Sequence, residues 1–276
     1  MTAAGPPVAP TEPAFHHVDD IAWTPVQRQR NADGSESVIR ERWPIIRPGF
    51  LSAYVVYEPG MVVRRHGHRS NHVVILLDGG AWLAGEWCDA GTHVHVPLGA
   101  AFGPIVAGPG GVTCWELSFG EFGGWGDMPE LFDAEIAARG VVPLPDPPIE
   151  IGDWFVDPRG DWGDARATPK IDGLAEVVTR YDDLPGVDAG PGVHLVRAIA
   201  APDFESARVR LDPGARFDLG RTHAHRLLLV TDGALTIAGR ACPAGTHVEV
   251  PLRWVLDPIV AGPAGATLCC LADGAP

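Results

Sequence analysis

Lysine is almost missing from this chain. Of 21 basic residues only Lys170 is a lysine, and 35 acidic residues outnumber the basic set, for a formal net charge of -14. A field of that sign repels polyanions, which excludes nucleic acid and anionic membrane as partners. The chain also lacks an apolar run of 18 residues, and residues 1–13 have neither a basic start nor an apolar centre. The sequence therefore predicts no spanning helix, no leader and a cytoplasmic address. Cysteines are few: Cys88, Cys114, Cys242, Cys269 and Cys270 make no C-x-x-C pair and are odd in number, so they read as reduced, mostly buried thiols. Cys269 and Cys270 are adjacent, and adjacent strand positions point to opposite faces, so they cannot close on one ion. There is no G-x-S-x-G elbow, P-loop or G-x-G-x-x-G, which removes three common catalytic and nucleotide-binding schemes.

What is present is a repeat. A shift of 154 residues lays residues 57–120 on residues 211–274 without a gap, with 25 identities in 64 pairs. The segment from Cys88 to Leu98 falls on that from Cys242 to Leu252, and Pro104–Pro109 is identical to Pro258–Pro263. Pro48/Pro202, Phe50/Phe204 and Ser52/Ser206 carry the match upstream. Each copy is built of short Val- and Ile-rich segments, such as Ala53–Tyr57, Val73–Leu77, Thr92–Val96, Leu227–Val230 and Thr246–Val250, punctuated by Pro-Gly, Asp-Gly and Ala-Gly turns. That pattern predicts an all-β sandwich or barrel, made twice.

The expected organisation is an arm over residues 1–17, a first barrel over 18–120, a linker over 121–171 and a second barrel over 172–276. Within the linker, Asp127 as N-cap, Pro129, a capping-box Glu130, Leu131, Ile136 and a stop at Gly140 predict one short helix. Val142–Pro148 reads as extended, Pro-rich chain.

The copies disagree in one place. Residues 61–77 share no identity with residues 215–231, and in the first copy this stretch holds His66, His68 and His72. Strand positions two apart share a face, so the three imidazoles point to one side of an unbulged strand, and neutral imidazoles converging inside a barrel are divalent-metal ligands. In the second copy Gly220, Thr222 and Arg226 stand at those positions, with His223 and His225 three residues off the register. A degenerate structural barrel is the expectation there, with a shifted His pair as the alternative. His93 recurs as His247 in the copy that has lost the motif, so His93 and His95 read as structural. Arg64 has the parity of His66 and is a candidate for binding an anionic substrate group. Glu116 and Cys114 lie where the copies differ on a late strand, and Glu116 is a candidate general base or a carboxylate partner of the ligands.

Gly60-x5-His66-x-His68-x3-His72-x6-Gly79 resembles the first cupin motif, G-x5-H-x-H-x3,4-E-x6-G, and Gly91-x5-Pro97-x-Gly99-x2-Phe102 resembles the second, G-x5-P-x-G-x2-H-x3-N. The chain is thus similar to a bicupin, with two jelly-roll barrels in tandem, and Ala90–Pro97 is most similar to the ChrR-type branch. His72 replaces the family's Glu and Phe102 replaces its last His, so the resemblance implies a three-His site with Phe102 lining the pocket. It further implies one divalent metal, Fe(II) first with Zn, Ni, Mn or Cu as alternatives, and an oxygenase or oxidoreductase acting on a small, anionic substrate. A ChrR-like zinc sensor or partner-binding module is the non-catalytic alternative, and a metal-dependent isomerase or hydrolase the third. A monomer or homodimer is expected.

Overall fold

The structure, a computed structural model, describes residues 7–149, 151, 170–201, 204–219 and 224–274. The elements up to the helix are β1 (Ala14–His17), β2 (Thr24–Arg30), β3 (Glu36–Arg47), β4 (Phe50–Tyr57), β5 (Val62–Val63), β6 (His66–Leu83), β7 (Glu86–Asp89), β8 (Thr92–Val96), β9 (Ile105–Gly126) and α1 (Pro129–Arg139). After it come β10 (Val142–Pro143), β11 (Val177–Arg180), β12 (Gly186–Gly190), β13 (Val193–Ala200), β14 (Phe204–Leu211), β15 (Arg216–Phe217), β16 (His225–Ile237), β17 (Arg240–Pro243), β18 (Thr246–Val250) and β19 (Ile259–Asp273). The chain divides into two compact units, one built on Ala22–Val178, the other on Ala9–Ile21 together with the residues from Thr179 onward.

Each unit is an antiparallel sheet of the same order. The first runs β10-β2-β3-β4-β9-β6-β8-β11, the second β12-β13-β14-β19-β16-β18-β1. Pairing registers repeat at the 154-residue offset: Phe50 faces Phe119 as Phe204 faces Asp273, and Tyr57 faces Val112 as Leu211 faces Ala266. The repeat is therefore a repeat of tertiary structure, and the all-β expectation holds for both copies: two tandem jelly-roll barrels with, among the described residues, one short α-helix between them in the chain.

One pair of glycines shows why the sequence match is gapless at the turns. Gly79 and Gly233 have φ of +70° and +69°, and a Cβ on either would lie 2.3 Å from the carbonyl oxygen of Gly111 or Gly265. Both the left-handed backbone and the close approach demand glycine. Inside each barrel alternate strand positions supply the core: Val55, Val74, Leu76, Val94, Val96 and Ile105 in the first, Val209, Leu228, Val230, Val248, Val250 and Ile259 in the second. Fully burying each of these aliphatic side chains contributes about 1.5–3 kcal/mol.

Two local expectations need correction, and a third holds. Residues 1–17 are not simply an arm outside the barrels, because Ala14–His17 forms β1, hydrogen-bonded to Thr246–Glu249 at the margin of the second sheet. Short-range patterning cannot reveal a strand whose partner lies some 230 residues away. Asp127 does not cap α1: Met128, at φ 47°, occupies the N-cap without a side-chain bond, while Gly140 ends the helix in the left-handed conformation. The Asp127 carboxylate is engaged by Arg65 and Lys170 instead. The Pro-rich stretch is extended as read, and its first residues, Val142 and Pro143, pair with Arg30 and Gln29 of β2.

Candidate metal centre

The two barrels part company at one end of β6. In the first, β6 begins at His66 and β9 continues to Gly126, so His66 lies opposite Gly126 and His68 opposite Gly124, as a two-stranded extension. The irregularity in this ribbon falls between His68 and Ser70, where the partner drops from Gly124 to Gly120. The extra residues are thus in β9, and β6 keeps its alternation: His66, Ser70 and His72 are buried on one face. A Cβ at Gly67 would strike Trp125 and the Ala100 carbonyl at 2.4 Å, so glycine between the two histidines lets the ribbon close.

This brings the three imidazoles together. The ring centroids of His66 and His68 are 5.0 Å apart and those of His68 and His72 4.6 Å, each pair edge to face. Phe102 sits among them. It bridges to His66 through two backbone hydrogen bonds, and its ring centroid lies 4.5 Å from His66, 6.3 Å from His68 and 5.3 Å from His72. Beneath Phe102 is an apolar cavity of about 30 Å³, lined in part by Tyr57, Val74, Leu76 and Cys114.

Glu116 completes the cluster from β9. Its Oε1 accepts the Tyr57 hydroxyl at 2.6 Å and the Cys114 thiol at 3.4 Å, and its Oε2 stands 3.5 Å from His72 Nε2. Burial pushes the carboxyl up, but hydrogen bonding and charge attraction from His72, with the bonds from Tyr57 and Cys114, outweigh it and hold Glu116 below the usual carboxylate value. Burial and the Glu116 charge push the Tyr57 phenol and the Cys114 thiol well up, so both stay protonated donors. His66 is pushed down to about 4, by burial first and by His72 and Arg64 among the smaller causes, against the raising effect of its Nδ1 contact with the Arg64 carbonyl at 2.8 Å. It is neutral at pH 7, the form that ligates metals.

The other sequence candidates lie elsewhere. Arg64 lays its guanidinium over the Phe132 ring of α1, 5.1 Å from the centroid, and its charge still acts on His66. Its neighbour Arg65 is the anchored one, binding Asp127 at 3.1 Å, the Gly103 carbonyl at 2.9 Å and Glu176 at 3.3 Å. His93 and His95 lie opposite Ile75 and Val73, so their parity turns them from the face that carries His72; burial, with His95 second, pushes His93 down to about 3. In the second copy His225 Nε2 lies 2.6 Å from Glu249 Oε1, and His223 falls outside the described residues. Tyr57 was not singled out from the sequence, although it differs between the copies, Leu211 standing at its place.

As they lie, no three His, Cys, Asp or Glu donors among the described residues converge closely enough to hold an ion. The spacing of the rings suits one nonetheless. Imidazoles bound at right angles to a common ion through nitrogens about 2.1 Å away have centroids roughly 4.5 Å apart, and the pairs here stand at 5.0 and 4.6 Å with interplanar angles of 86° and 88°. Rotation about χ2 redirects a ring nitrogen while leaving the centroid nearly in place, so the spacing is the better guide. His72 Nδ1 is moreover buried without a hydrogen-bond partner, which a packed core rarely tolerates. The donor set fits a divalent metal.

No protein-family model matches the sequence, and no curated protein matches it. Solved structures do. A candidate dioxygenase from Nostoc punctiforme superposes with a TM-score of 0.65 over 96% of this chain and 84% of its own, at 11% identity. Oxalate decarboxylase from Bacillus subtilis superposes at 0.62 over 99% of this chain and 78% of its own, at 15% identity. Identities this low speak for the fold alone, and the fold is that of a bicupin.

Proposed function

We propose that the first barrel is a metal-dependent enzyme site for a small molecule, of the mononuclear oxygenase or oxidoreductase kind, with His66, His68 and His72 as ligands and Fe(II) as the leading ion. The observation that carries this reading is the meeting of three imidazoles and a buried carboxylate on the inner face of one barrel, at positions where the other copy has Arg226 and Cys270. When bound, such an ion supplies Lewis acidity and, for iron, electron transfer to a coordinated substrate. That both similar structures carry the names of small-molecule enzymes, one of them a dioxygenase, agrees with this.

The residues of the chain then have separable tasks. Glu116 Oε2 stands 3.5 Å from His72 Nε2 as a proton acceptor, and Tyr57 and Cys114 occupy its Oε1, which keeps the carboxylate ionised and fixed in direction. Phe102 presents an apolar ring to all three imidazoles and excludes water from that side. Arg64, stacked on Phe132, is assigned no substrate contact. Protein purified without an affinity tag should carry one metal per chain and consume dioxygen in an electrode trace with its substrate. Metal without dioxygen consumption across a panel of small acids would move the assignment to a decarboxylase, isomerase or hydrolase.

One observation favours a second, non-catalytic reading as a zinc-holding cupin of the ChrR kind: the cavity beside Phe102 has room for about one water. Glu116 would then close the shell as a fourth ligand, as structural zinc requires. Phe102→His adds a donor on the Phe102 side. It tightens metal binding about tenfold if the shell is open there, and leaves it unchanged if Glu116 already fills the fourth place.

A further inference from the structure

The second unit carries a surface groove that the duplication itself interprets. Strands β2–β3 and β12–β13 pair in the same way, down to a bulge at Pro25/Gln27 and again at Asp188/Gly190. This equivalence puts Gly186, paired with Val196, where Trp23 faces Arg42 in the first copy. There the indole lies under the Arg42 guanidinium, 4.3 Å from its centroid, with the Tyr54 ring 6.1 Å away and tilted at 45°. In the second copy the matching place is a groove of about 380 Å³ lined by Asp182, His194, Val196, Arg208, Arg210 and Thr267.

The lining has changed along with the lost indole. Arg208 replaces Tyr54 and Arg210 replaces Val56, so two guanidiniums stand where the first copy has a phenol and an isopropyl group. Arg208 is held flat, with its guanidinium 4.9 Å over the Tyr181 ring and bound to Asp182. His194 is taken by Asp188 at 2.9 Å, with Asp212 at 3.8 Å. Arg210 is exposed, beside His194 and Thr267 in the strand register, and among the described residues has no ion-pair or hydrogen-bond partner. The groove thus combines an aromatic-sized space, a stacking guanidinium and one uncompensated cation.

We propose that this groove binds a planar aromatic carboxylate: the ring takes the place that Trp23 fills in the first copy, stacked on Arg208 over Val196, and the carboxylate pairs with Arg210. The ligand class follows from the indole that stands in for the ring and from the sign of the unpaired charge. The site is separate from the histidine cluster and does not depend on a metal.

The test is calorimetric titration of the full chain with indole-3-carboxylate at low salt. One equivalent should bind, at least tenfold more weakly to Arg210→Ala and to Gly186→Trp, and with unchanged affinity to His66→Ala/His68→Ala. Gly186 is a permissive position for the filling variant, since a Cβ there meets only ordinary van der Waals contacts, Val196 Cγ2 at 3.6 Å and the Leu195 carbonyl oxygen at 3.9 Å. Arg210→Ala, a surface change, keeps the test decisive if Gly186→Trp fails to fold. Absence of binding, equal binding to both variants, or tighter binding of benzylamine than of the carboxylate, through Asp182 and Asp188, would overturn the proposal. Equal affinity for cyclohexanecarboxylate would overturn the stacking part.

Discussion

Set side by side, the two barrels share strand order, register and turn glycines, and differ in what they enclose. At the places of Tyr57, His72, Phe102 and Glu116 the second copy has Leu211, Arg226, Leu256 and Cys270. Leu211 and Leu256 belong to its apolar core, burial above all pushes the Cys270 thiol up to about 12, and Arg226 is spent on the Leu219 carbonyl. The frame therefore does not need the polar cluster, and at the places of Tyr57 and Phe102 its interior reverts to hydrocarbon. It follows that the cluster in the first barrel is held against its own cost in desolvation for a reason other than folding.

The sharpest break of this comparison is removal of the ligands proposed for the first copy. His66→Ala/His68→Ala should take metal content from one to none per chain, measured by elemental analysis on untagged protein, and lower any turnover by a hundredfold or more. His225→Ala/Arg226→Ala should change neither. Metal lost with the second pair and kept with the first would reverse the roles of the barrels.

The likeness of the copies can be attacked next. Gly79→Ala and Gly233→Ala each force a Cβ onto a carbonyl oxygen at a left-handed position, and each should cost about 2–4 kcal/mol in denaturant unfolding. Unequal costs would mean that the turns are not equivalent.

A smaller effect marks what only the first barrel has, the anchor behind its histidine ribbon. Burial resists ionisation of Asp127, yet Lys170 and Arg65 hold its carboxyl below the ordinary value. Asp127→Asn should cost about 2 kcal/mol at neutral pH by leaving Arg65 half-buried and short of a partner. Because the folded-state value is the lower one, this contribution is present above the unfolded value, about 3.9, and is lost as pH falls through the folded one. The gap between wild type and variant in a series of unfolding curves should close accordingly. A gap that persists below pH 3 would show that the carboxylate charge is not what anchors the ribbon.

The smallest change runs across the groove. Trp23→Gly should open in the first copy the space that Gly186 leaves in the second, at a cost of about 1–2 kcal/mol, Trp23 being only partly buried. No loss on thermal unfolding would show that the indole is not packed there.

The sequence by itself determined the duplication, the β class and the common face of His66, His68 and His72, because turn residues and a period of two are local properties that survive without knowledge of partners. It also marked Glu116, through the disagreement of the copies, and the same signal at position 57 was there to be read for Tyr57. Tertiary structure alone decided the rest. It drew Ala14–His17 into a distant sheet, sent Arg64 onto Phe132 while fixing Arg65 between Asp127 and Glu176, and ran β9 on to Gly126 so that a ribbon could carry the first two histidines. These are outcomes of strand pairing and ion pairing between residues far apart in the chain, and no local pattern encodes which of several chemically equal partners the fold will bring within reach.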